Sequence, residues 1–502
     1  MTRQGPDGGR PLTLPAADME RAGRRAVERV LARLAAPGEG PVHVACTPEE
    51  LDKEWREPPP EEGADLADLV DRLADSALTA GMRSDHPRCF AFVPSAGTFP
   101  AVLADALGAA FLAVPGAWLV GSGATQLELV TVEWLCALLE LPEGSGGLFV
   151  SGGSEANLVA LTVARDSRLG GDPRGARAYC SDQAHPSVAR ALHILGFSRD
   201  QLVVLPADAS LRLPVDELAR RVAADRAAGL RPFAVVATAG TTSTGAIDPL
   251  PELAAVCRAE GLWLHTDGAL GAVARISDPG RALLAGLEAS DSVTVDPHKW
   301  LFQPYDIGCL LLREPGLLRD SFALTRHSLD VDAGYLSAST RPAPGDATDP
   351  VNLSDHGVQL SRGPRALKLW LSLKTFGVRA FREAVADGMR RAAHAGERIA
   401  AHPGLELTSP PSLCVVTFRH RPPGLPPGPE LDAVQGHISR TVVASGDAMI
   451  LPTRVRGEQV LRLCTINPRA TDADVDAALD LVAAIGDQLS SGTRDSGHGP
   501  LG

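Results

Sequence analysis

The stretch "SVTVDPHKWL", residues 292–301, ends an apolar, strand-like run on a lysine. Lys299 is one of four lysines among 502 residues, with Lys53, Lys368 and Lys374. Arginine carries nearly all the positive charge, within an Ala-, Arg-, Gly- and Pro-rich composition that bears the imprint of a GC-rich bacterial genome. That bias alone makes lysine rare. A lysine at a strand end ordinarily points to solvent, because lysine is seldom fully buried. Its surroundings decide whether Lys299 is that lysine.

Outward from it, short apolar runs alternate with amphipathic stretches. "GLFVSG" leads into "SEANLVALTVARD", and "RAYCSD" into "HPSVARALHIL". "FAVVATAG" precedes "LPELAAVCRAEG"; "LWLHTD", "DSVTVD" and "DIGCLLLR" follow. Strand–helix alternation predicts an α/β fold with a mostly parallel sheet covered on both faces. The region 400–485 reads as a second, smaller α/β domain, with strand-like "LCVVTF" and "VLRLCTI" and a closing helix.

Composition narrows the classes. Net charge is −13 without a basic block, which argues against nucleic acid. No run of about 18 uncharged apolar residues predicts a membrane span, and "MTRQGPDGGRPL" has no apolar signal region. Eight scattered cysteines without CxxC spacing read as reduced core residues of a cytoplasmic protein.

In open parallel sheets, ligands bind beyond the carboxyl ends of the strands. The polar residues there are Gly152, Gly153 and Ser154, then Asp182 and His185, Thr241 and Thr242, Asp267, and finally His298 and Lys299. Ser154 reads as a helix N-cap, with free amides facing a bound anion. Singly, each has an ordinary reading as a connector, a cap or a surface group. His265, Asp267, Asp296 and His298 could also suggest a metal site, but their spacing matches no known ligand pattern. Together the set offers an anion cradle, a planar stacker, an isolated carboxylate and one lysine. Pyridoxal 5′-phosphate (PLP) needs all four: a Schiff-base lysine, a carboxylate on the pyridine nitrogen, an imidazole against the ring, and donors for the phosphate.

At these residues the chain resembles the group II PLP-dependent amino-acid decarboxylases, which include aromatic-amino-acid, histidine, glutamate and diaminobutyrate decarboxylases. "HPRCFAFVPSAGTFPAVLADAL", "SGGSEANLVAL", "SDQAHPSVARA", "ATAGTTSTGAIDPL", "LWLHTDGALGA", "DSVTVDPHKWL" and "ALKLWLSLKTFG" follow in family order. The resemblance spans about residues 65–485. It implies the aspartate-aminotransferase-like fold type I, with a seven-stranded sheet and an active site shared in a homodimer. Lys299 resembles the Schiff-base lysine, His185 the stacking histidine and Asp267 the pyridinium partner. Ala269 matches the small residue against the ring. Gly153, Ser154, Thr242 and His298 match phosphate-side positions, and Phe92, Pro94, Ser95 and Trp118 match pocket-lining ones. The organisation this implies is a disordered segment 1–15, a helical segment 16–90, a PLP domain 91–380, a small domain 381–487 and a disordered tail 488–502.

Two departures stand out. The family's "DAAYGG" is "DGALGA" here, with Gly268 and Leu270. Where relatives carry a loop tyrosine that protonates the substrate carbon from the partner subunit, "NLSDHGVQLSRGPRALKLW" has His356. His356 could be the proton donor itself, since imidazole titrates near neutrality. Without a donor at the carbon, decarboxylation would instead couple to oxidative deamination, giving an aldehyde. His356 could also be an ordinary loop residue. Decarboxylation of an L-amino acid to an amine is the leading expectation. A non-catalytic subunit that keeps the fold is the alternative of another class, and a metal-dependent hydrolase a further one.

Overall fold

A computed structural model describes residues 12–93, 96–323 and 350–495, with side chains to 489. Pro94, Ser95 and residues 324–349 lie outside the described residues.

An N-terminal helix α1 (Ala16–Ala35) is followed by α2 (Phe99–Ala110) and α3 (Trp118–Leu138). The central layer then winds through β1 (Gly146–Val150), α4 (Gly153–Leu169), β2 (Ala176–Ser181), α5 (Ser187–Ile194) and β3 (Leu202–Leu205). It continues with α6 (Val215–Ala227), β4 (Arg231–Thr238), α7 (Leu250–Glu260), β5 (Trp263–Asp267), β6 (Ser292–Val295) and β7 (Gly308–Leu312). The seven strands order as β1-β7-β6-β5-β4-β2-β3. β7 runs against both neighbours, and the remaining pairs are parallel. Six strands coincide with the apolar runs quoted above. β3, four apolar residues at the sheet edge, lies outside those runs and is only partly buried.

Both faces of the sheet are covered, and side-chain alternation shows it. Val235 and Ala237 of β4 join one core, Ala234 and Val236 the other. Phe149 and Leu148 of β1 divide in the same way. A strand buried on both sides loses polar alternation, so β4 reads as a continuous apolar run.

Helix α8 (Ala366–Ala401) breaks at Gly377, whose φ of +74° favours glycine. The expected boundary at 380–381 falls inside this helix, just past the break. Beyond it lies an antiparallel sheet of β8 (Leu405–Leu407), β9 (Val415–His420), β10 (Leu451–Val455) and β11 (Glu458–Cys464), ordered β8-β9-β11-β10. α9 (Pro429–Ser445) packs against this sheet, and α10 (Asp472–Asp495) against α9 and α8. α10 runs past residue 488, where a disordered tail was expected; once nucleated, a helix extends through polar residues at little cost. No helix among the described residues is long and apolar enough to cross a membrane.

One buried ion pair secures the segment carrying His356. Arg362 grips Glu128 of α3 through two 2.7 Å hydrogen bonds, and both side chains are buried. Glu128 also accepts from the amide of Phe149 at 2.9 Å, and Arg362 donates to the Phe149 carbonyl. The pair thus pins residues 352–365 to β1. Removing one partner strands a buried charge, so Arg362→Met is expected to cost about 3–5 kcal/mol in urea unfolding. Replacing Glu128 and Arg362 together with apolar residues should cost less than Arg362→Met alone.

Candidate active site

The parallel strands end in register: Thr238 lies beside Asp267, and Asp267 beside Thr294. Their carboxyl ends open onto a cavity of about 250 Å³. Gly153, Ser154, His185, Thr242, Asp267, Ala269, His298 and Lys299 all line it. Every residue that the sequence assigned to the cofactor therefore lines one cavity.

Gly152 caps α4, and Gly153 and Ser154 occupy its first turn. Ser154 is thus not the cap expected from sequence, because the chain enters the helix two residues earlier, at Gly152. As leading residues, Gly153 and Ser154 present N–H groups that have no intrahelical acceptor. A Cβ on Gly153 would sit 2.9 Å from Asp296 Oδ2 and 3.2 Å from Ala269, and one on Gly152 3.1 Å from His298. Only glycine allows this close approach.

Lys299 follows β6 by four residues, and Trp300 behind it is fully buried in the main core. That anchor turns the lysine back towards the cavity. Nζ lies 3.0 Å from Asp296 Oδ2. Burial disfavours the ammonium, but Asp296 and Asp267 outweigh it and the Lys299 pKa is raised. Asp296 Oδ1 and His298 Nδ1 are buried without a hydrogen-bond partner among the described residues. Tyr305 lays its ring over His298, with centroids 4.5 Å apart. Desolvation lowers the pKa of His298 despite Asp296 beside it.

Sequence reasoning missed the polar network beneath the cavity. Asn157 donates to Asp267 Oδ2 and to Ser187 Oγ, both at 2.9 Å. Its carbonyl accepts from Thr294 Oγ1 at 2.7 Å and faces His265 Nε2 at 3.0 Å. His265 Nδ1 meets Ser292 Oγ at 2.8 Å, which in turn accepts from Trp263 Nε1 at 2.9 Å. Alternation along β5 was the available signal, since His265 and Asp267 share a face. The proposed metal set is not assembled, because both nitrogens of His265 are engaged in this network. Among the described residues, no three His, Cys, Asp or Glu side chains converge as ligands.

Other expected residues lie elsewhere in this chain. Phe92 is exposed with φ +55°, and its carbonyl accepts from Arg462, which also donates to the Thr242 carbonyl at 2.7 Å. Trp118 opens α3, its amide donating to Asn352 Oδ1 at 2.9 Å. His356 is half-buried, its Nδ1 donating to the Asn352 carbonyl at 2.9 Å. None of the three lines the cavity. Gly268 is explained sterically: a Cβ there would meet Ala272 at 2.5 Å. Leu270 is buried and lines the cavity.

PLP fits this site: a glycine-lined helix start for the phosphate, a carboxylate held from below, an exposed imidazole, and an amine lining the cavity.

Four comparisons bear on it. The "Pyridoxal-dependent decarboxylase conserved domain" matches residues 48–421. The aromatic-L-amino-acid decarboxylase of Bacillus atrophaeus is 38% identical over 479 residues, 95% of this chain and 98% of that one. The structure of Oryza sativa TDC with PLP and tryptamine superposes with a TM-score of 0.87 at 27% identity, covering 96% and 100% of the two chains. Rhodiola rosea 4-hydroxyphenylacetaldehyde synthase shares the fold, with a TM-score of 0.86 at 24% identity over 95% and 99%.

The network has a pH signature. Desolvation lowers the His265 pKa to about 4, so the folded protein keeps it neutral while the unfolded chain protonates near 6.5. Stability from this group is complete above about pH 6.5 and lost as pH falls towards 4. The loss should reach about 2–3 kcal/mol at pH 4.5 in urea unfolding, and it should shrink in His265→Gln.

Proposed function

The chain belongs to the pyridoxal-dependent decarboxylase family, and on that premise we propose how its residues divide the work and which amino acids it takes. It is a PLP-dependent enzyme that removes carbon dioxide from an L-amino acid. When bound, the cofactor supplies a ring that accepts the electron pair left by the departing carboxyl group.

Lys299 would hold the cofactor through Nζ, an amine that the substrate's own amine can replace. An arginine could not, since it stays protonated. Asp296, 3.0 Å from Nζ, is placed to accept the ammonium proton. Asp267 would pair with the ring nitrogen, and His185 and Ala269 would flank the ring. Gly153, Ser154, Thr242 and His298 hold the phosphate. The observation that carries this division is their convergence on one cavity from five separate loops. Lys299→Ala should abolish borohydride trapping of the cofactor, with turnover falling at least a thousandfold; turnover that survived and was stopped by a chelator would overturn the reading.

The enzyme works as a homodimer. Leu107, Phe111, Leu112, Leu119 and Val120 are exposed by 53%, 80%, 82%, 76% and 62%, an apolar surface that a second copy would cover. His356 and Trp118, absent from this chain's own cavity, then serve the partner's. Protonated His356 keeps one free donor, Nε2–H, because Nδ1–H is spent on the Asn352 carbonyl. From Nε2 it delivers the proton that replaces the carboxyl group. Phe111→Glu should yield a monomer by sedimentation, and an inactive one.

Desolvation lowers the His356 pKa, so the acid form is depleted as pH rises. Amine formation should therefore decline towards alkaline pH, and His356→Tyr should flatten that decline. His356→Asn should release aldehyde and peroxide with oxygen uptake. Unchanged amine output in His356→Asn would remove the histidine from the mechanism.

The substrates are aromatic L-amino acids, supported by the near-full-length relative of that name. An amino-acid panel with mass detection of amine and aldehyde tests this; preference for a diamino or acidic substrate would overturn it.

A further inference from the structure

Asn157 is a buried amide whose four hydrogen-bonding positions are all filled by groups of the site. The surroundings fix which end is which. Asp267 offers only acceptors when ionised, so the amide nitrogen must face it at 2.9 Å. The second N–H goes to Ser187 Oγ at 2.9 Å. Ser187 Oγ, having accepted, donates its own hydrogen to His185 Nδ1, 2.8 Å away. The backbone N–H of Ser187 also points at Nδ1, at 3.2 Å, and a backbone amide can only donate. Nδ1 is thus an acceptor twice over. A proton there would oppose two donors at once, so the imidazole carries its hydrogen on Nε2.

We propose that Asn157 is a positioning residue that couples Asp267 to His185 and holds His185 as the neutral Nε2–H tautomer. One amide thereby sets the carboxylate that meets the ring nitrogen and, through Ser187, the imidazole that stacks on the ring. The stacked group then brings no positive charge against a ring that must itself carry the electron deficit. The charged groups facing His185 are Asp267, Lys299, Asp296 and Arg190, which include both signs, so the donors on Nδ1 decide the tautomer. The inference rests on the residue roles given above and adds a positioning role for Asn157 and Ser187 at the base of the same cavity.

The test uses Asn157→Ala, Ser187→Ala and the double variant in the full-length holoenzyme, with PLP release followed by absorbance and histidine tautomers by 15N NMR. Asn157→Ala should weaken PLP retention about tenfold to a hundredfold, the scale of a lost hydrogen bond to a charged group. Ser187→Ala should affect retention far less, yet the His185 signal, identified by its loss in His185→Gln, should gain Nδ1–H character in both variants. The double variant should fall short of the product of the two single effects. Independent effects, or an Nδ1-protonated His185 in the wild type, would overturn the coupling. Should Asn157→Ala fail to fold, Asn157→Asp, which keeps the shape but replaces the donor with an acceptor, must show the same loss of PLP. Peptide mapping after borohydride reduction separates the two readings. A cofactor found away from Lys299 overturns the site reading and this inference with it; a cofactor on Lys299 with independent variant effects overturns the coupling alone.

Discussion

Two carboxylates buried beneath a single lysine set the terms for the rest of this site. A buried charge is tolerated only when paired or hydrogen-bonded. Asp296 is met by the Lys299 ammonium at 3.0 Å. Asp267 has the Asn157 amide on one oxygen and the Ala269 backbone N–H on the other, at 2.9 and 3.2 Å. These requirements explain why glycines crowd the cavity floor, why β5 ends on an aspartate, and why a buried histidine stands two residues before it. The sheet supplies what the carboxylates demand: strand ends in register, so that groups from β4, β5 and β6 arrive at one depth.

Rigidity is distributed accordingly. Trp300 and the cores on both faces of the sheet hold the lysine loop from behind. Arg462, from the C-terminal sheet, ties the carbonyls of Phe92 and Thr242 together, so the smaller unit contributes to the cavity rim without lining the cavity. The Arg362–Glu128 pair does the same for the segment that carries His356.

The sequence by itself determined the sheet strands of strong apolar character, the cavity edge at their ends, and the cofactor. Those features are written in local pattern: continuous apolar runs, glycines before a helix, and a lysine just past a strand end. The first-turn place of Ser154, the edge strand Leu202–Leu205 and the network through Asn157, Ser187 and His265 were decided only by tertiary structure. Asn157 sits in the second turn of α4, between Ala156 and Leu158, and its partners come from α5, β5 and β6. Nothing in its local spacing points to them, because hydrogen-bond partners across a sheet are set by register and not by separation along the chain. The same holds for His356. Its imidazole chemistry is legible in one letter, but the fold alone leaves it beside Asn352, outside its own cavity.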